Sequence, residues 1–288
     1  MLITYAQNRE DLNLHVLLHG VKKGFYVDVG ANYPAADSVT KFFYDRKWNG
    51  INIEPIPDLY KQLVKARPRD TNLNIGVGLE PGVLKLRQYS GARHGWSTFS
   101  ESTKTLHKNQ DYTEYEVEIR PLKDIFNDSH IKDIDFLKID VEGYEFEVLS
   151  GNDWSKYRPK VVLIEGNESR CIEFLKKVDY KQVFYDGLNT YFVRADLSGR
   201  HTMDDYIKVL LSGETIMTNR EHATQKQLRL TEKVLRHTKD HLTKLQEAYD
   251  NITYHVQHPE EYFGIRAMTV AVRKRIAQKT KKRITGKR

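Results

Sequence analysis

Residues 25–32 read Phe-Tyr-Val-Asp-Val-Gly-Ala-Asn, and they constrain the fold more than any other stretch of the chain. Phe25, Val27 and Val29 alternate around Tyr26 and Asp28, the two-residue period of a β-strand. Gly30 and Asn32 follow at once, so the strand ends where a glycine lets a ligand approach the backbone. In an open α/β sheet this is the edge along which the ligand crevice lies. The dinucleotide fingerprint G-x-G-x-x-G is absent here, which argues against a pyrophosphate ligand. Acid-x-Gly-x-Asn suits a ligand with a cationic or amino-acid head, such as S-adenosylmethionine.

Three further strands repeat the pattern. In residues 50–55, Ile51 and Ile53 alternate with Asn52 and the strand closes on Glu54. With the first strand this makes one β-α-β unit, its helix expected over 36–47. Glu54 is then placed to accept hydrogen bonds from both hydroxyls of a ribose. In residues 133–151, Phe136, Leu137 and Ile139 form a buried strand with Asp140, Glu142 and Gly143 at its end. A helix is expected from Tyr144 to Leu149, with Gly151 as its C-cap. Lys138, Asp140 and Glu142 put three ionisable groups within five residues. Burial and close like charges raise a carboxyl pKa toward the range of a general base. The fourth strand, 160–166, ends in Glu165.

The blocks FYVDVGAN, DSVTKFFYDRKWNGINIEP, GWSTF, DFLKIDVEGYEFEVLSG and DGLNTYFV occur in that order. Together they resemble the FkbM family of S-adenosylmethionine-dependent methyltransferases over about residues 4–195. The likeness is to the branch found with bacterial surface-glycan genes, and the opening YAQNREDLNL fits that branch too. The resemblance implies a Rossmann-like class I methyltransferase sheet (an α/β fold) with helices on both faces, spanning residues 1–198. It implies that Asp28, Gly30, Asn32, Glu54 and Ser38 contact the cofactor, and that Asp140, Glu142 and Lys138 line the reaction centre. His94, in the polar stretch YSGARHGWSTFSEST, is a further candidate base or substrate residue, and Trp96, Ser97 and Thr98 beside it are candidates for a lid or cofactor wall. The implied reaction is methyl transfer to a hydroxyl of a surface polysaccharide or its lipid-linked precursor. A sulfonium carries its own leaving-group activation, so no metal is expected. A divalent cation, if used, would fall to the carboxylates of Asp140, Glu142 and Glu165. The alternatives are a non-catalytic scaffold in a glycan-assembly complex, or a small-molecule or nucleic-acid acceptor. Nucleic acid is disfavoured, because no Asn/Asp-Pro-Pro-Tyr/Phe motif is present.

With 288 residues the chain can hold one α/β domain of about 200 residues and an appendage. Cys171 is the only cysteine, so no intrachain disulfide can form, as befits a reducing cytoplasm. Arg9, Glu10 and Asp11 interrupt any leading apolar run, and no stretch reaches the length of a membrane span, so neither a signal peptide nor a transmembrane helix is expected. The segment 180–196 is expected to close the sheet as a hairpin turning at 186–189. Residues 199–258 turn helical from about Met203, with Leu228, Leu235, Leu242, Tyr249 and Val256 at seven-residue intervals and Thr231, Thr238, Leu245 and Ile252 three positions on. That seam predicts a coiled coil and a homo-oligomer. Residues 259–288 carry ten Lys/Arg against two acids, whereas the rest carries 36 against 37. Apolar residues accompany the basic run, so the tail is expected to adsorb to an anionic membrane at the inner face of the cytoplasmic membrane.

Overall fold

Alternation along the strands sorts their side chains to two faces of a sheet. Val27, Leu137, Val162 and Phe192 join one apolar cluster, and their neighbours Tyr26, Phe136, Val161 and Tyr191 join another. The computed structural model describes residues 2–89, 97–107, 110–131, 133–199, 216–257 and 274–275. Its first half contains β1 (Leu2–Thr4), α1 (Glu10–Leu17), β2 (Phe25–Val29), α2 (Lys41–Asp45), β3 (Asn49–Ile53), α3 (Pro57–Ala66), β4 (Thr71–Leu73), β5 (Gly76–Val77), β6 (Gly82–Tyr89), α4 (Glu101–Leu106) and β7 (Tyr112–Arg120). The second half contains α5 (Leu122–Asp128), β8 (Phe136–Ile139), α6 (Glu145–Ser150), β9 (Val161–Glu165), α7 (Ser169–Lys177), β10 (Tyr180–Tyr185), β11 (Asn189–Arg194), β12 (Ile216–Thr218) and α8 (Asn219–Gln257).

The main sheet has the order β10-β11-β9-β8-β2-β3-β4. Strand β2 pairs in parallel with β3 on one side and with β8 on the other. The chain therefore winds outward from β2 to β4 and later from β8 to β9. The gap between β2 and β8 is the switch point at which such sheets open a ligand crevice. Strand β11 runs antiparallel to β9 and pairs with β10 as the expected edge hairpin. Helices cover both faces. Leu12 and Leu14 of α1 and Phe42 and Phe43 of α2 pack on one. Leu122 and Phe126 of α5, Val148 and Leu149 of α6 and Leu175 of α7 pack on the other. A second sheet, β5-β7-β6, carries Leu86, Val117 and Ile119 against Ile56, Leu59 and Phe99.

Three local expectations need correction. The helix over 36–47 shrinks to Lys41–Asp45. Asp37 has φ 54°, Thr40 Oγ1 donates to Asp28 Oδ2 at 2.7 Å, and Arg67 holds Ser38, so side-chain bonds compete with helix before residue 41. Gly151 does cap α6, but at φ −81°, where no left-handed turn is needed. Its glycine answers to space, because a Cβ there would meet the Gly78 carbonyl oxygen at 2.1 Å. Finally, Ile216–Thr218 is a strand, not helix, and pairs in parallel with β1.

The chain divides into two units, Met1–His222 and Ala223–Arg288. In the long helix α8 the heptad residues Leu228, Leu235 and Leu242 are exposed. Among the described residues no helix is long and apolar enough to cross a membrane. The basic tail lies outside the described residues, apart from Lys274 and Arg275.

Candidate functional site

Gly30 ends β2 with φ 76°, and a Cβ at this position would meet the backbone oxygen of Asp140 at 1.9 Å. Sequence reasoning reserved that space for a ligand, but the end of β8 fills it. Two strand ends thus cross at van der Waals distance, and only glycine permits it. Lys138, in β8, fastens the crossing. Its ammonium donates to the Gly30 carbonyl at 2.8 Å and lies 3.3 Å from Asp28 Oδ1 and 3.1 Å from Asp140 Oδ2. Burial favours the neutral amine, yet the two carboxylates outweigh it and raise the Lys138 pKa. Lys138 is therefore a fixed cation that neutralises Asp28 and Asp140, and it cannot serve as a base near neutral pH. Asp28 lines the cavity; its Oδ2 accepts from Thr40, and its Oδ1 faces the Lys138 ammonium but has no hydrogen-bond partner among the described residues.

Glu54 follows β3 and is buried. Its Oε2 accepts the Asn32 N–H and its Oε1 accepts the Ile56 N–H, both at 2.8 Å. Each oxygen keeps a lone pair for a ligand. Burial raises its pKa to about 7 against the effect of those two bonds. Asn32 sits at φ 52°, a conformation asparagine tolerates, and its Oδ1 is buried with no partner among the described residues. Ser38, the remaining expected cofactor residue, lines the same cavity while its oxygen accepts from Arg67. Arg67 is fully buried and also donates to Pro34 O at 2.6 Å, which fixes the 34–38 loop; nothing local in the sequence marks it for this task.

At the other end of the cavity three half-buried carboxylates converge. Oxygens of Asp140, Glu142 and Glu165 lie within 4.8 Å of one another, a spacing that one divalent cation could bridge. Burial works against charge on Asp140, but Lys138 and a proton shared from Glu165 outweigh it, and its pKa falls below the ordinary value. Burial and then the Asp140 charge raise Glu165 to about 10. Burial, with Asp140 and Glu145 nearby, raises Glu142 to about 8.

The backbone at Glu142 is unusual. Glu142 and Gly143 are consecutive left-handed residues at φ 54° and 91°, a costly conformation for glutamate. The surroundings hold it. Thr98 and Thr103 hydroxyls both donate to the Glu142 carbonyl, at 2.7 and 3.1 Å. Glu145 Oε1 accepts the Val141 and Gly143 N–H groups, each at 3.1 Å. Thr98, read from the sequence as part of a lid or cofactor wall, is a strut for the acidic loop, whereas Ser97 and Phe99 do line the cavity. His94 and Trp96 lie outside the described residues.

The cavity measures about 360 Å³, within the usual range for small-molecule sites. Beyond the residues already named, it is walled by Ile56, Leu59, Ile75, Val77 and Leu86. Sequence reasoning missed this apolar wall, since it draws on α3, β5 and β6, each unremarkable alone. Gln7, from the loop after β1, also reaches it.

Three raised carboxyls make stability depend on pH. The folded state holds protons on Glu54, Glu142 and Glu165 that the unfolded chain releases near pH 4.3. Their contribution is complete below that pH and is lost as pH rises through about 7, 8 and 10. The melting temperature of the ligand-free protein should fall from pH 6 to pH 9, and Glu165→Gln should flatten the fall. A flat or rising wild-type curve would contradict the assignment.

The profile of the methyltransferase FkbM domain family matches residues 28–184, more than half of the chain. This protein is a member of the FkbM methyltransferase family. The match begins at Asp28 and takes in Glu54, Lys138, Asp140, Glu142 and Glu165. No curated protein matches the chain. Among solved structures, a methyltransferase FkbM from Methylobacillus flagellatus KT is similar at 16% identity, over 64% of this chain and 53% of that one, with a TM-score of 0.39. This FkbM-family chain thus spans about half the length of the Methylobacillus protein. A TehB-like SAM-dependent methyltransferase from Corynebacterium glutamicum is 10% identical, over 64% and 87% of the two chains, with a TM-score of 0.34. A precorrin-6y C5,15-methyltransferase from Geobacter metallireducens GS-15 is 14% identical, over 67% and 88%, with a TM-score of 0.35.

Proposed function

We propose that this FkbM-family methyltransferase moves the methyl group of S-adenosylmethionine to a hydroxyl of a bacterial surface polysaccharide or its lipid-linked precursor. One observation carries the reading: a single cavity joins an apolar slot closed by an acid to a cluster of three carboxylates. The residues present fit the cofactor. Ile56, Leu59, Ile75, Val77 and Leu86 suit an adenine, and Glu54 suits the ribose hydroxyls. Asn32 Oδ1, buried and unpartnered, suits an amino group. Six acids, Asp28, Asp37, Glu54, Asp140, Glu142 and Glu165, line the cavity against Lys138 as the one cation among its lining residues; even with protons held on Glu142 and Glu165 the acids outnumber it, so a positively charged ligand is favoured.

S-adenosylmethionine supplies an electrophilic methyl group whose leaving group is already activated. The protein must align the acceptor oxygen and take its proton. Glu142 has the raised pKa of a base poised near neutrality. Asp140, held ionised by Lys138, orients the acceptor and keeps the Glu142 pKa high. Protonated Glu165 donates to Asp140 and limits the negative charge of the cluster. On the same reading the exposed seam of α8 joins a second copy of the chain, and the basic tail holds the enzyme at an anionic membrane that displays the glycan.

Calorimetric titration tests the cofactor. S-adenosylmethionine should bind and NAD should not. Glu54→Gln should weaken cofactor binding by about 1–3 kcal/mol through the lost charge-assisted hydrogen bonds. Unchanged affinity in a variant that melts normally would remove Glu54 from the site.

A further inference from the structure

The loop between β1 and α1 is densely hydrogen-bonded. Buried Asp11 accepts the Thr4 hydroxyl at 2.6 Å and the Tyr5 and Ala6 N–H groups at 2.8 and 3.4 Å. Buried Glu10 accepts the Asn8 N–H at 2.7 Å and, with its other oxygen, the Asn189 side-chain amide at 2.9 Å. Asn8 in turn donates to the Asp186 carbonyl at 3.2 Å. Arg9 takes the left-handed conformation at φ 64° to start α1. The Asp11 bonds and the Asn8–Glu10 bond brace the loop internally, and two bonds, from Asn8 to Asp186 and from Asn189 to Glu10, fix it against the turn of the β10–β11 hairpin. The one side chain the loop sends to the cavity is Gln7. Gln7 is exposed and its carboxamide makes no hydrogen bond among the described residues, so its donors and its acceptor can exchange water for a ligand. The loop lies beside the carboxylates, because Asn189, which holds Glu10, pairs with Glu165 across β11 and β9.

We propose that Gln7 is an acceptor-binding residue, its carboxamide bridging two neighbouring hydroxyls of a polyhydroxylated acceptor opposite Asp140 and Glu142. The inference rests on the methyl-transfer reading above and deepens it by naming what holds the acceptor. The chemistry matches. A primary amide donates and accepts in one plane, which is what adjacent hydroxyls require, and it adds no charge to a site already rich in carboxylates. Glu54 follows β3, three strands away from the β9 edge that the Gln7 loop borders, so Gln7 should leave cofactor binding alone.

The test uses the full chain with radiolabelled S-adenosylmethionine and a panel of p-nitrophenyl glycosides of glucose, galactose, mannose, rhamnose and N-acetylglucosamine. For whichever glycoside is methylated, Gln7→Ala should raise KM about 10-fold with kcat little changed, and Gln7→Asn should not restore it because the shorter amide falls short. Cofactor affinity by calorimetry should be unaltered. The deoxy glycoside lacking the neighbouring hydroxyl should lose affinity with the wild type but not with Gln7→Ala, the non-additivity that marks a direct contact. An unchanged KM, an equal deoxy penalty in both proteins, or weakened cofactor binding in Gln7→Ala would each overturn the assignment. Cofactor binding without methylation of any glycoside would overturn the acceptor class and the role of Gln7 together. Failure to bind S-adenosylmethionine would instead fall on the methyl-transfer reading itself.

Discussion

Glu142→Gln should lower kcat for methyl transfer by at least about 100-fold while the protein still binds its cofactor and melts normally. The amide keeps the size of the side chain and removes only its capacity to take a proton. The wild-type rate should climb with pH and reach half its plateau near pH 8, because the base acts only when ionised. Asp140→Asn provides a sign test. Deleting the neighbouring negative charge lowers the Glu142 pKa, so the rise should move to lower pH even as the plateau drops. Wild-type rates independent of pH between 6 and 9, or full activity in Glu142→Gln, would rule out this base.

Gly30→Ala should have the largest effect on the fold. The added Cβ would have to sit 1.9 Å from the Asp140 carbonyl oxygen at a φ of 76°. The backbone conformation alone costs on the order of 1–3 kcal/mol. Relieving the clash means parting β2 from β8, which also breaks the Lys138 bond to the Gly30 carbonyl. The total approaches the stability of a typical domain, about 5–15 kcal/mol. Thermal melting and far-ultraviolet circular dichroism should show a protein largely unfolded at 37 °C. Gly82→Ala is the control, since no atom lies within 4 Å of a Cβ there. If Gly30→Ala melts within a few degrees of wild type, the crossing is looser than described.

The parts of the fold that were legible in the sequence are those governed by nearest neighbours. Alternation in 25–29 and 51–53 and the apolar runs at 136–139 and 161–164 gave each strand, and the acids and glycines that ended them gave the edge where the cavity lies. What stayed hidden depends on residues remote in sequence. Lys138 looked like one charge in a cluster, and only the parallel pairing of β2 with β8 brings its ammonium onto Asp28 and Gly30. Glu54 was read from its position alone. Its two backbone bonds arise because the loops after β2 and β3 meet at its carboxylate. Thr98 was marked only as lid or wall and Thr103 not at all, since a hydroxyl is marked as a strut only by the carbonyl it reaches. Gly151 shows the reverse error, a correct element end with a steric cause in place of a conformational one.

The platform under Gln7 ties together parts of the chain that are made far apart in time. Asn13 donates to the Tyr191 hydroxyl across 178 positions and Asn189 to Glu10 across 179, while β1 waits for β12. Chains are completed from the N-terminus on the ribosome, and contacts of such long range are slow to close. Residues 2–13 are thus held by contacts that only residues 189–218 can supply. A nascent or truncated chain ending before residue 186 would hold every residue proposed for the cofactor and all three carboxylates, yet lack the hairpin that positions Gln7. On the methyl-transfer reading, such a chain would lack the seat proposed for the molecule to be methylated.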